Sequence, residues 1–240
     1  MFQLDILIPV YNESENIIKV IETLRCAVKT PYRILICYDH DEDSTLAALK
    51  KYEYSHLVNI EKVKNQGRGV LQAILTGFRN SEAPAIIVFP ADDTFNAGII
   101  DQMFQKFTEG CQIVAASRFM RGGCMKRCPW LKALLVRSAA FTLYHLARLP
   151  THDPTSGFKL FSRQVINHIE IESEQGWAFS IELVVKCHRR GWKIGEVPAL
   201  WFERTQGQSR FRVFKWLPIY LRWYFFAFAT TYLRKHHRQS

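Results

Sequence analysis

The stretch Leu4-Asp5-Ile6-Leu7-Ile8-Pro9-Val10 is a nearly continuous apolar run that ends in the polar triplet Tyr11-Asn12-Glu13. A short run of this composition is typical of a strand buried on both faces of a sheet. Residues 15–29 follow with apolar side chains at helical spacing, and Ser14 is a candidate N-cap for that helix. The order of buried strand, polar turn and amphipathic helix is the start of a strand–helix–strand unit with a parallel sheet.

The same alternation continues over the first 120 residues. Further strands are predicted at Tyr32–Tyr38, Leu57–Val63, Ala85–Phe89 and Ile113–Ala116, and further helices at Leu46–Tyr54 and Gly67–Asn80. Repeats of this length predict an α/β fold, with a Rossmann-like, mostly parallel central sheet and helices on both of its faces. The 240 residues are enough for one such domain with a large hydrophobic core.

Polar side chains collect after the first four predicted strands, where open parallel sheets bind their ligands. In chain order they are Tyr11 and Glu13, then Asp39, then the loop Asn65-Gln66-Gly67-Arg68-Gly69, then Asp92 and Asp93. Each group alone has a structural explanation as a turn or a helix cap, but four at one edge indicate a binding site. The glycine loop has neither the ending of a nucleoside-triphosphate loop nor the third glycine of a dinucleotide fingerprint, so neither site type is indicated.

Asp92 and Asp93 are candidate ligands for Mg²⁺ or Mn²⁺, which take oxygen donors and commonly share them with substrate phosphates. The next strand is followed by a basic segment that begins at Arg118. A divalent cation on one side and arginines on the other would stabilise a diphosphate leaving group as negative charge develops on it. These residues therefore favour a reaction that releases a diphosphate.

The net charge of +10 is concentrated in two segments that contain no acidic residue. Residues 118–152 carry seven lysines and arginines and residues 204–240 carry eight, so the rest of the chain has a net charge of −5. Such segments indicate an anionic partner: a phosphate, a nucleic acid or a membrane surface. No recognised nucleic-acid module is visible, and the sheet-edge carboxylates would repel a nucleic-acid backbone, so we expect no nucleic-acid partner. Six scattered cysteines without a signal peptide predict reduced thiols and a cytoplasmic location.

Residues 211–233 contain 10 aromatic side chains in 23 positions. Their unbroken apolar part, Trp223–Leu233, has 11 residues, whereas a membrane-spanning helix needs about 20. Arg212, Lys215 and Arg222 are spaced to share one stripe of a helix, which leaves the other faces to the aromatic rings. This pattern predicts an amphipathic helix in the membrane interface. The alternative is a helix packed on the domain core or on a second copy of the chain.

Nine short motifs run in order along residues 6–211. They are Ile8–Glu13, Asp39 in its acidic turn, Asn65-x-Gly67-x-Gly69, Ala91-Asp92, Ser117-Arg118-Phe119, Asp153–Phe158, Gly176-x-x-Phe179-x-x-Glu182, Glu196–Pro198 and Arg204-x-x-Gly207-Gln208-Ser209-Arg210. Together they resemble the motifs of family-2 glycosyltransferases with the GT-A nucleotide-sugar fold. The most similar branch is the polyprenyl-phosphate, dolichol-phosphate mannosyltransferase-like one.

The resemblance implies inverting transfer of a sugar from a nucleotide-sugar donor to an acceptor. By the same resemblance, Pro9, Tyr11, Glu13 and Asp39 hold the nucleotide base and ribose, Asp92 binds Mg²⁺ or Mn²⁺, and Arg118 and Arg204 face the phosphates. Asn65, Gly67, Gly69 and Ala91 belong to the same donor-binding motifs. The resemblance further implies a glycosyltransferase domain over residues 1–210, followed by an interfacial helix and a basic tail over residues 211–240.

Two positions depart from the family pattern. Tyr38 precedes Asp39 where the family has a second acidic residue, and Pro90 stands at the first position of the family's Asp-x-Asp motif. The second change removes a carboxylate that contacts metal or ribose, and we expect Asp93 to compensate for it. A non-catalytic, membrane-associated relative with a decayed site is one alternative. A sugar-1-phosphate nucleotidyltransferase is another, although that class has a glycine-rich loop where this chain has residues 11–13.

The acceptor decides whether the reaction needs a general base. A lipid phosphate is already anionic near neutral pH, with a second pKa of about 6, whereas a sugar hydroxyl must lose a proton. The basic segment 118–152 and the aromatic C-terminal segment favour a polyprenyl phosphate, reached by peripheral contact with the cytoplasmic face of an anionic membrane. For a glycan or other hydroxyl acceptor, Asp153 is the first candidate base and Glu182 the second.

Overall fold

The computed structural model of the chain describes residues 2–53, 59–202 and 213–233. Its strands are β1 (Leu4–Pro9), β2 (Tyr32–Tyr38), β3 (Ile60–Lys64), β4 (Ala85–Val88), β5 (Ile113–Ser117), β6 (Cys124–Lys126), β7 (Lys159–Ser162), β8 (Ile194–Pro198) and β9 (Leu200–Phe202). Its α-helices are α1 (Ile17–Ala27), α2 (Ser44–Glu53), α3 (Val70–Asn80), α4 (Ile100–Thr108), α5 (Trp130–His145), α6 (Arg163–His168), α7 (Phe179–Arg189) and α8 (Val213–Tyr232).

The central sheet has the strand order β3-β2-β1-β4-β7-β5-β8. Neighbouring strands of this sheet run parallel to each other, except that β7 runs antiparallel to both β4 and β5. A separate parallel pair is formed by β6 and β9. The predicted α/β fold with a mostly parallel central sheet is confirmed. Because the chain winds outward from β1 to β3 and returns to β4 on the other side of β1, the connections after β1 and β4 leave the sheet in opposite directions.

Strand β1 shows how the sheet is covered on both faces. Leu4, Ile6 and Ile8 point into one buried hydrophobic cluster, to which α1, α2 and α4 contribute, while Leu7 points into the other, shared with α3 and α7. This alternation follows from the two-residue period of a strand. The apolar run 4–10 therefore supplies both layers of the core, as expected for a strand buried on both faces.

Helix α3 lies very close to β1 at Gly77. A Cβ atom at that position would lie 2.1 Å from Leu7 Cδ1 and 2.9 Å from Cys37 Sγ, so a larger residue would push the helix away from the sheet. Helix α3 also contacts β2 and β3, so it covers this face of the sheet.

Several element bounds differ from the expectations. Helix α1 begins at Ile17 with Asn16 as the N-cap residue, so the prediction of Ser14 as the cap is wrong. Glu13 explains the shift, because its carbonyl accepts the amides of Asn16 and Ile17 and its side chain accepts from Asn16 Nδ2 at 3.0 Å. Residues 57 and 58 of the third predicted strand lie outside the described residues, and β3 runs from Ile60. All six cysteines are free thiols, as predicted.

Helix α8 packs on the domain through one face. Trp223 and Ala227 are fully buried against α7 and α5, and Trp223 Nε1 donates to Ser173 Oγ at 3.0 Å. Arg222 lies over the Trp223 ring and pairs with Glu172. On its other side α8 exposes the large apolar side chains of Leu217, Leu221, Phe225 and Tyr232. One face of α8 is therefore packed on the domain core, as the alternative to an interfacial helix expected. Among the described helices, none has the length and apolar content needed to cross a bilayer.

Candidate active site

The loops after the first four parallel strands leave the sheet at one level, and we call this group of loops (residues 10–13, 39–43, 65–69 and 90–96) the β1–β4 edge. Backbone hydrogen bonds continue the ladder just past the strands, from Val10 N to Cys37 O at 2.9 Å, from Asn65 N to Tyr38 O at 2.7 Å and from Phe89 N to Leu7 O at 2.8 Å. The polar residues that the sequence placed after these strands are therefore brought together, as parallel pairing requires.

The loop after β1 is held by hydrogen bonds to residues that follow β2. Asn12 has a positive φ of 55°, and its amide donates to both carboxylate oxygens of Asp43, at 3.0 and 3.1 Å. The amide of Glu13 donates to Thr45 Oγ1 at 2.9 Å. Asp43 is buried, so it supports the turn, whereas the Tyr11 side chain is 43% exposed at the edge and Pro9 is half-buried below it. The ring of His40, which the sequence reasoning missed, meets Tyr11 edge-on at 5.5 Å.

Asp39 shapes the glycine loop after β3. Its Oδ1 accepts from Asn65 Nδ2 at 2.7 Å and its Oδ2 accepts from the amide of Gly69 at 2.9 Å, while Asn65 Oδ1 accepts from the amide of Gly67 at 3.0 Å. Gly69 needs to be glycine because its φ is +88°. The predicted donor-binding residues Asp39, Asn65, Gly67 and Gly69 thus form one hydrogen-bonded unit, and their contact with a nucleotide stays a prediction.

Asp93 stabilises the turn after β4. Its Oδ1 accepts from the amides of Phe95 and Asn96, at 2.9 and 3.0 Å, and its Oδ2 accepts from Asn96 Nδ2 at 2.6 Å. Asn96 in turn binds the backbone of Leu200. Burial raises the pKa of Asp93, against the lowering effect of these hydrogen bonds. The geometry gives Asp93 a structural role and does not support the expectation that it replaces the carboxylate lost at Pro90.

Asp92 is partly exposed at the β1–β4 edge, above the buried Ala91. Within the described ranges, no group of three or more His, Cys, Asp and Glu side chains converges on a common point. The described residues therefore do not complete a cation site by themselves, and phosphate oxygens of a substrate would have to supply further ligands beside Asp92. Mg²⁺ and Mn²⁺ are commonly held in this way, so the residues fit such an ion.

Arg118 and Asp153 form a buried ion pair after β5. Arg118 donates through Nε to Asp153 Oδ2 at 2.6 Å and through Nη2 to Oδ1 at 2.8 Å, and its backbone amide donates to Oδ2 at 3.0 Å. Burial alone would raise the pKa of Asp153, but the adjacent guanidinium lowers it below its usual value. Thr155 Oγ1 accepts a further bond from Nη2, and the Phe119 ring lies 5.1 Å from the guanidinium carbon.

The two candidate bases are both committed to the interior. Asp153 has no exposed surface and is engaged by Arg118, so the structure does not place it where an acceptor hydroxyl could reach it. Glu182 is also fully buried: it accepts from the amides of Glu172 and Ser173, at 2.6 and 2.8 Å, and from Lys186 Nζ at 2.7 Å. Each carboxylate holds a neighbouring segment in this structure, and the base role predicted for them with a hydroxyl acceptor stays a prediction.

Lys159 at the start of β7 is a buried cation that the sequence reasoning missed. Its Nζ donates to Pro154 O at 3.1 Å, to Ser156 O and to Ser180 Oγ at 2.6 Å, so it joins the 153–157 turn to α7. Complete burial lowers its pKa to about 7, with Arg118 acting in the same direction and Asp153 in the opposite one. The sequence around Lys159, the first residue of β7, does not indicate this network.

A cavity of about 680 Å³ lies beside Arg118, between the β5–β6 segment and α5. We call it the basic cavity, because the described side chains that line it include Arg118, Lys126, Arg137, His145 and His152 and no carboxylate. Phe119, Phe141 and Tyr144 supply aromatic lining. Only Arg118 of these residues was singled out from the sequence, although all lie within the acid-free segment 118–152. Arg204, the second predicted phosphate-facing arginine, lies outside the described residues.

The order and direction of the strands are those of the GT-A glycosyltransferase fold. The family model described as "Glycosyl transferase family 2" matches residues 5–170, and the chain belongs to this family. It is therefore a glycosyltransferase. The resemblance drawn from the nine motifs is confirmed at the level of the family and of its dolichol-phosphate mannosyltransferase-like branch.

Similar curated proteins come from bacteria and archaea. The chain is 24% identical over 212 residues to the polyprenol monophosphomannose synthase of Mycolicibacterium smegmatis, covering 85% of this chain and 79% of that protein. It is 23% identical over 215 residues to the dolichol-phosphate mannosyltransferase of Pyrococcus furiosus, covering 88% of this chain but 59% of that protein. It is 27% identical over 206 residues to the glycosyltransferase AglJ of Haloferax volcanii, covering 85% of this chain and 64% of that protein.

Solved structures support the fold. Glucosyl-3-phosphoglycerate synthase from Mycobacterium tuberculosis, crystallised with Mn²⁺, uridine diphosphate and glucosyl-3-phosphoglycerate, has a TM-score of 0.67 at 13% identity, over 98% of this chain and 82% of that one. The same enzyme with Mn²⁺, uridine-diphosphate-glucose and phosphoglyceric acid also has a TM-score of 0.67, at 14% identity, over 98% of this chain and 81% of that one. At 13–14% identity, the similarity is one of fold.

Proposed function

We propose that this glycosyltransferase uses a polyprenyl phosphate as its acceptor, at a membrane surface, and that it depends on Mg²⁺ or Mn²⁺ held by Asp92. The observation that carries the proposal is the basic cavity, whose lining residue Phe141 is also 61% exposed on α5. A cationic cavity with an apolar rim suits a ligand with an anionic head and an apolar tail. The names of the Mycolicibacterium and Pyrococcus relatives, which refer to polyprenol and dolichol phosphates, support the same acceptor class.

The charges of the basic cavity suit a nucleophile that needs no base. Arg118, Lys126 and Arg137 line it, and no acidic residue does among the side chains described there. Arginine binds phosphate oxygens in a fixed, forked geometry, and lysine adds a point charge. Arg118 uses Nε and Nη2 for Asp153, which leaves Nη1 outside that pair. A phosphate bound here would already be anionic near neutral pH.

The reaction that follows from this acceptor is an inverting displacement. A phosphate oxygen attacks the anomeric carbon of the donor sugar and forms the new carbon–oxygen bond from the face opposite the leaving group. The bond from that carbon to the nucleoside diphosphate breaks, and its electron pair stays on the diphosphate oxygen. No proton has to be removed from the nucleophile, which agrees with the buried state of Asp153 and Glu182.

On the donor side, Tyr11, Glu13 and Asp39 would position the base and ribose above the β1–β4 edge, with Pro9 beneath them. Asp92 would hold the divalent cation, and Arg118 and Arg204 would face the diphosphate. When bound, such a cation supplies charge stabilisation for the departing nucleoside diphosphate. The Mn²⁺ named with the solved M. tuberculosis enzyme supports this assignment.

The membrane contact would be made by α5 and α8. Trp130, Leu134 and Phe141 on α5 are 76%, 55% and 61% exposed, and Phe225 on α8 is 63% exposed. The two helices pack on each other, and under this proposal their exposed apolar side chains meet the same membrane. Lys132 belongs to the same helix and can meet anionic lipid headgroups at the cytoplasmic face.

The test is transfer assayed with the purified protein and a panel of nucleotide sugars, each with farnesyl phosphate or with farnesol. The two acceptors share one tail and differ only in the phosphate. We expect nucleoside diphosphate release and a glycosylated lipid product, detected by mass spectrometry, with farnesyl phosphate but not with farnesol. Both should require Mn²⁺ or Mg²⁺. Transfer to farnesol at an equal rate would refute the phosphate acceptor, and full activity in chelator would refute the metal.

A further inference from the structure

We propose that His152 is a phosphate-binding residue of the basic cavity, oriented by Glu196. The inference rests on the proposed acceptor, because it assigns to His152 a direct contact with the acceptor's phosphate. Neither the family motifs nor the basic segment singled out this residue, which directly precedes the Asp153–Phe158 motif.

Glu196 fixes the histidine from β8. His152 Nδ1 lies 2.5 Å from Glu196 Oε1, and the backbone amide of His152 donates to Oε2 at 2.8 Å. Thr151 Oγ1 donates to the same Oε2 at 3.0 Å. One carboxylate thus holds both the ring and the backbone of this residue. Because Nδ1 is taken by Glu196, Nε2 is the ring nitrogen that can bind a ligand.

Tyr144 fixes the plane of the ring. The two rings stack with centroids 3.8 Å apart and an interplanar angle of 22°. His152 lines the basic cavity beside Arg118, Lys126 and Arg137, with 35% of its side chain exposed. A ring clamped on one face and at Nδ1, yet open to a cationic cavity, is preorganised to donate from Nε2 to an anion in that cavity.

The main competing explanation is a purely structural one, in which the pair ties residues 151–153 to β8. The variant His152→Asn separates the two roles, because its side-chain amide can still donate to Glu196 but has no group at the position of Nε2. Glu196→Gln keeps a hydrogen-bonding partner and removes the charge. His168→Asn is the matched control, since His168 is exposed at the end of α6, outside the residues that line the cavity.

The experiment measures farnesyl phosphate binding by calorimetry at about pH 7. We expect His152→Asn to weaken binding roughly tenfold, with little change in affinity for the nucleoside diphosphate and in the melting temperature. Glu196→Gln should weaken binding less than His152→Asn does, because it keeps a hydrogen-bonding partner for the ring, and His168→Asn should match the wild type.

The outcomes separate this inference from the proposed function. If the wild type binds farnesyl phosphate and His152→Asn binds it with unchanged affinity, the role of His152 is refuted and the phosphate acceptor stands. A lowered melting temperature together with weaker binding of the nucleoside diphosphate would show a structural tie instead. Equal wild-type affinity for farnesol and farnesyl phosphate would refute the acceptor, and the inference with it.

Discussion

The β1–β4 edge and the basic cavity differ in charge and in how they are assembled. At the edge, carboxylates such as Asp39 and Asp43 accept hydrogen bonds from loop amides, and each loop follows its strand within a few residues. In the cavity, the described lining is cationic and is drawn from β5–β6, α5 and the turn before β7. An acidic edge suits a diphosphate bridged by a cation, whereas a cationic cavity suits a phosphate that arrives alone. Under the proposed function, the two regions would keep two anionic substrates apart by the charges placed around each.

The largest effect should come from unpairing the arginine beside the cavity. Asp153→Asn leaves the Arg118 guanidinium without its buried carboxylate, and we expect a loss of about 3–5 kcal/mol in the free energy of unfolding. Urea denaturation measures it. Asp41→Asn is the control, because Asp41 pairs with Lys64 at an exposed site and its removal should change stability little. Equal effects of the two variants would contradict a buried pair that supports the cavity.

Asp92→Asn tests the other side of the comparison. We expect kcat/KM for the nucleotide sugar to fall by about 100-fold or more, because the diphosphate would lose its cation, while the melting temperature stays unchanged. Steady-state kinetics over a Mn²⁺ titration is the measurement. Glu109→Gln, an exposed carboxylate after α4, should behave as the wild type. Retained activity with an unaltered Mn²⁺ dependence would remove the metal assignment.

Lys159 supports the turn between the two regions, and its burial makes a prediction about pH. Its pKa is lowered to about 7 in the folded protein from 10.5, so between these values the unfolded chain binds more protons at this site. The free energy of unfolding should therefore rise with pH over that range, relative to the variant Lys159→Met, and the contribution should be lost as the pH falls through about 7. Urea denaturation across the range checks this. A difference between the two proteins that does not vary with pH would contradict it.

The smallest effect expected concerns the exposed apolar side chains of α5 that are proposed to contact the membrane. The double variant Trp130→Ser, Leu134→Ser should weaken co-sedimentation with anionic vesicles several-fold, since both side chains are exposed and neither supports the core. The rate of sugar transfer to water-soluble farnesyl phosphate should be retained. Truncation of the C-terminal segment is a poorer test, because Trp223 is buried in the core. Unchanged sedimentation would place the membrane contact elsewhere.

Much of the β1–β4 edge could be predicted from the sequence because its information is local. The apolar run 4–10 determines a strand, and a parallel sheet then places the residue after each strand at a common edge. Asp39, Asn65, Gly67 and Gly69 were predicted together and lie together. The contact of these residues with the donor stays a prediction.

The sequence did not show which carboxylates are engaged by other groups of the protein. Asp153 was a candidate base because aspartate can act as one, and in the structure it pairs with Arg118, 35 residues away. The carboxylate of Glu182, the second candidate, accepts from the backbone amides of residues 172 and 173. Asp93 was expected to bind metal, and its carboxylate is engaged within its own turn. Composition identifies a titratable group, but only packing decides which groups remain available to a ligand.

The sequence by itself determined the alternation of strands and helices, the family and the sheet edge where polar loops gather, since these depend on local periodicity and on motifs read in order. The tertiary structure decided which charges are buried in pairs, which stripe of α8 enters the core, and that His152 stands between Glu196, Tyr144 and the basic cavity. The physical reason is that the behaviour of a charge depends on its desolvation and on its neighbours within a few ångströms. Those neighbours come from elements that meet only in the folded chain.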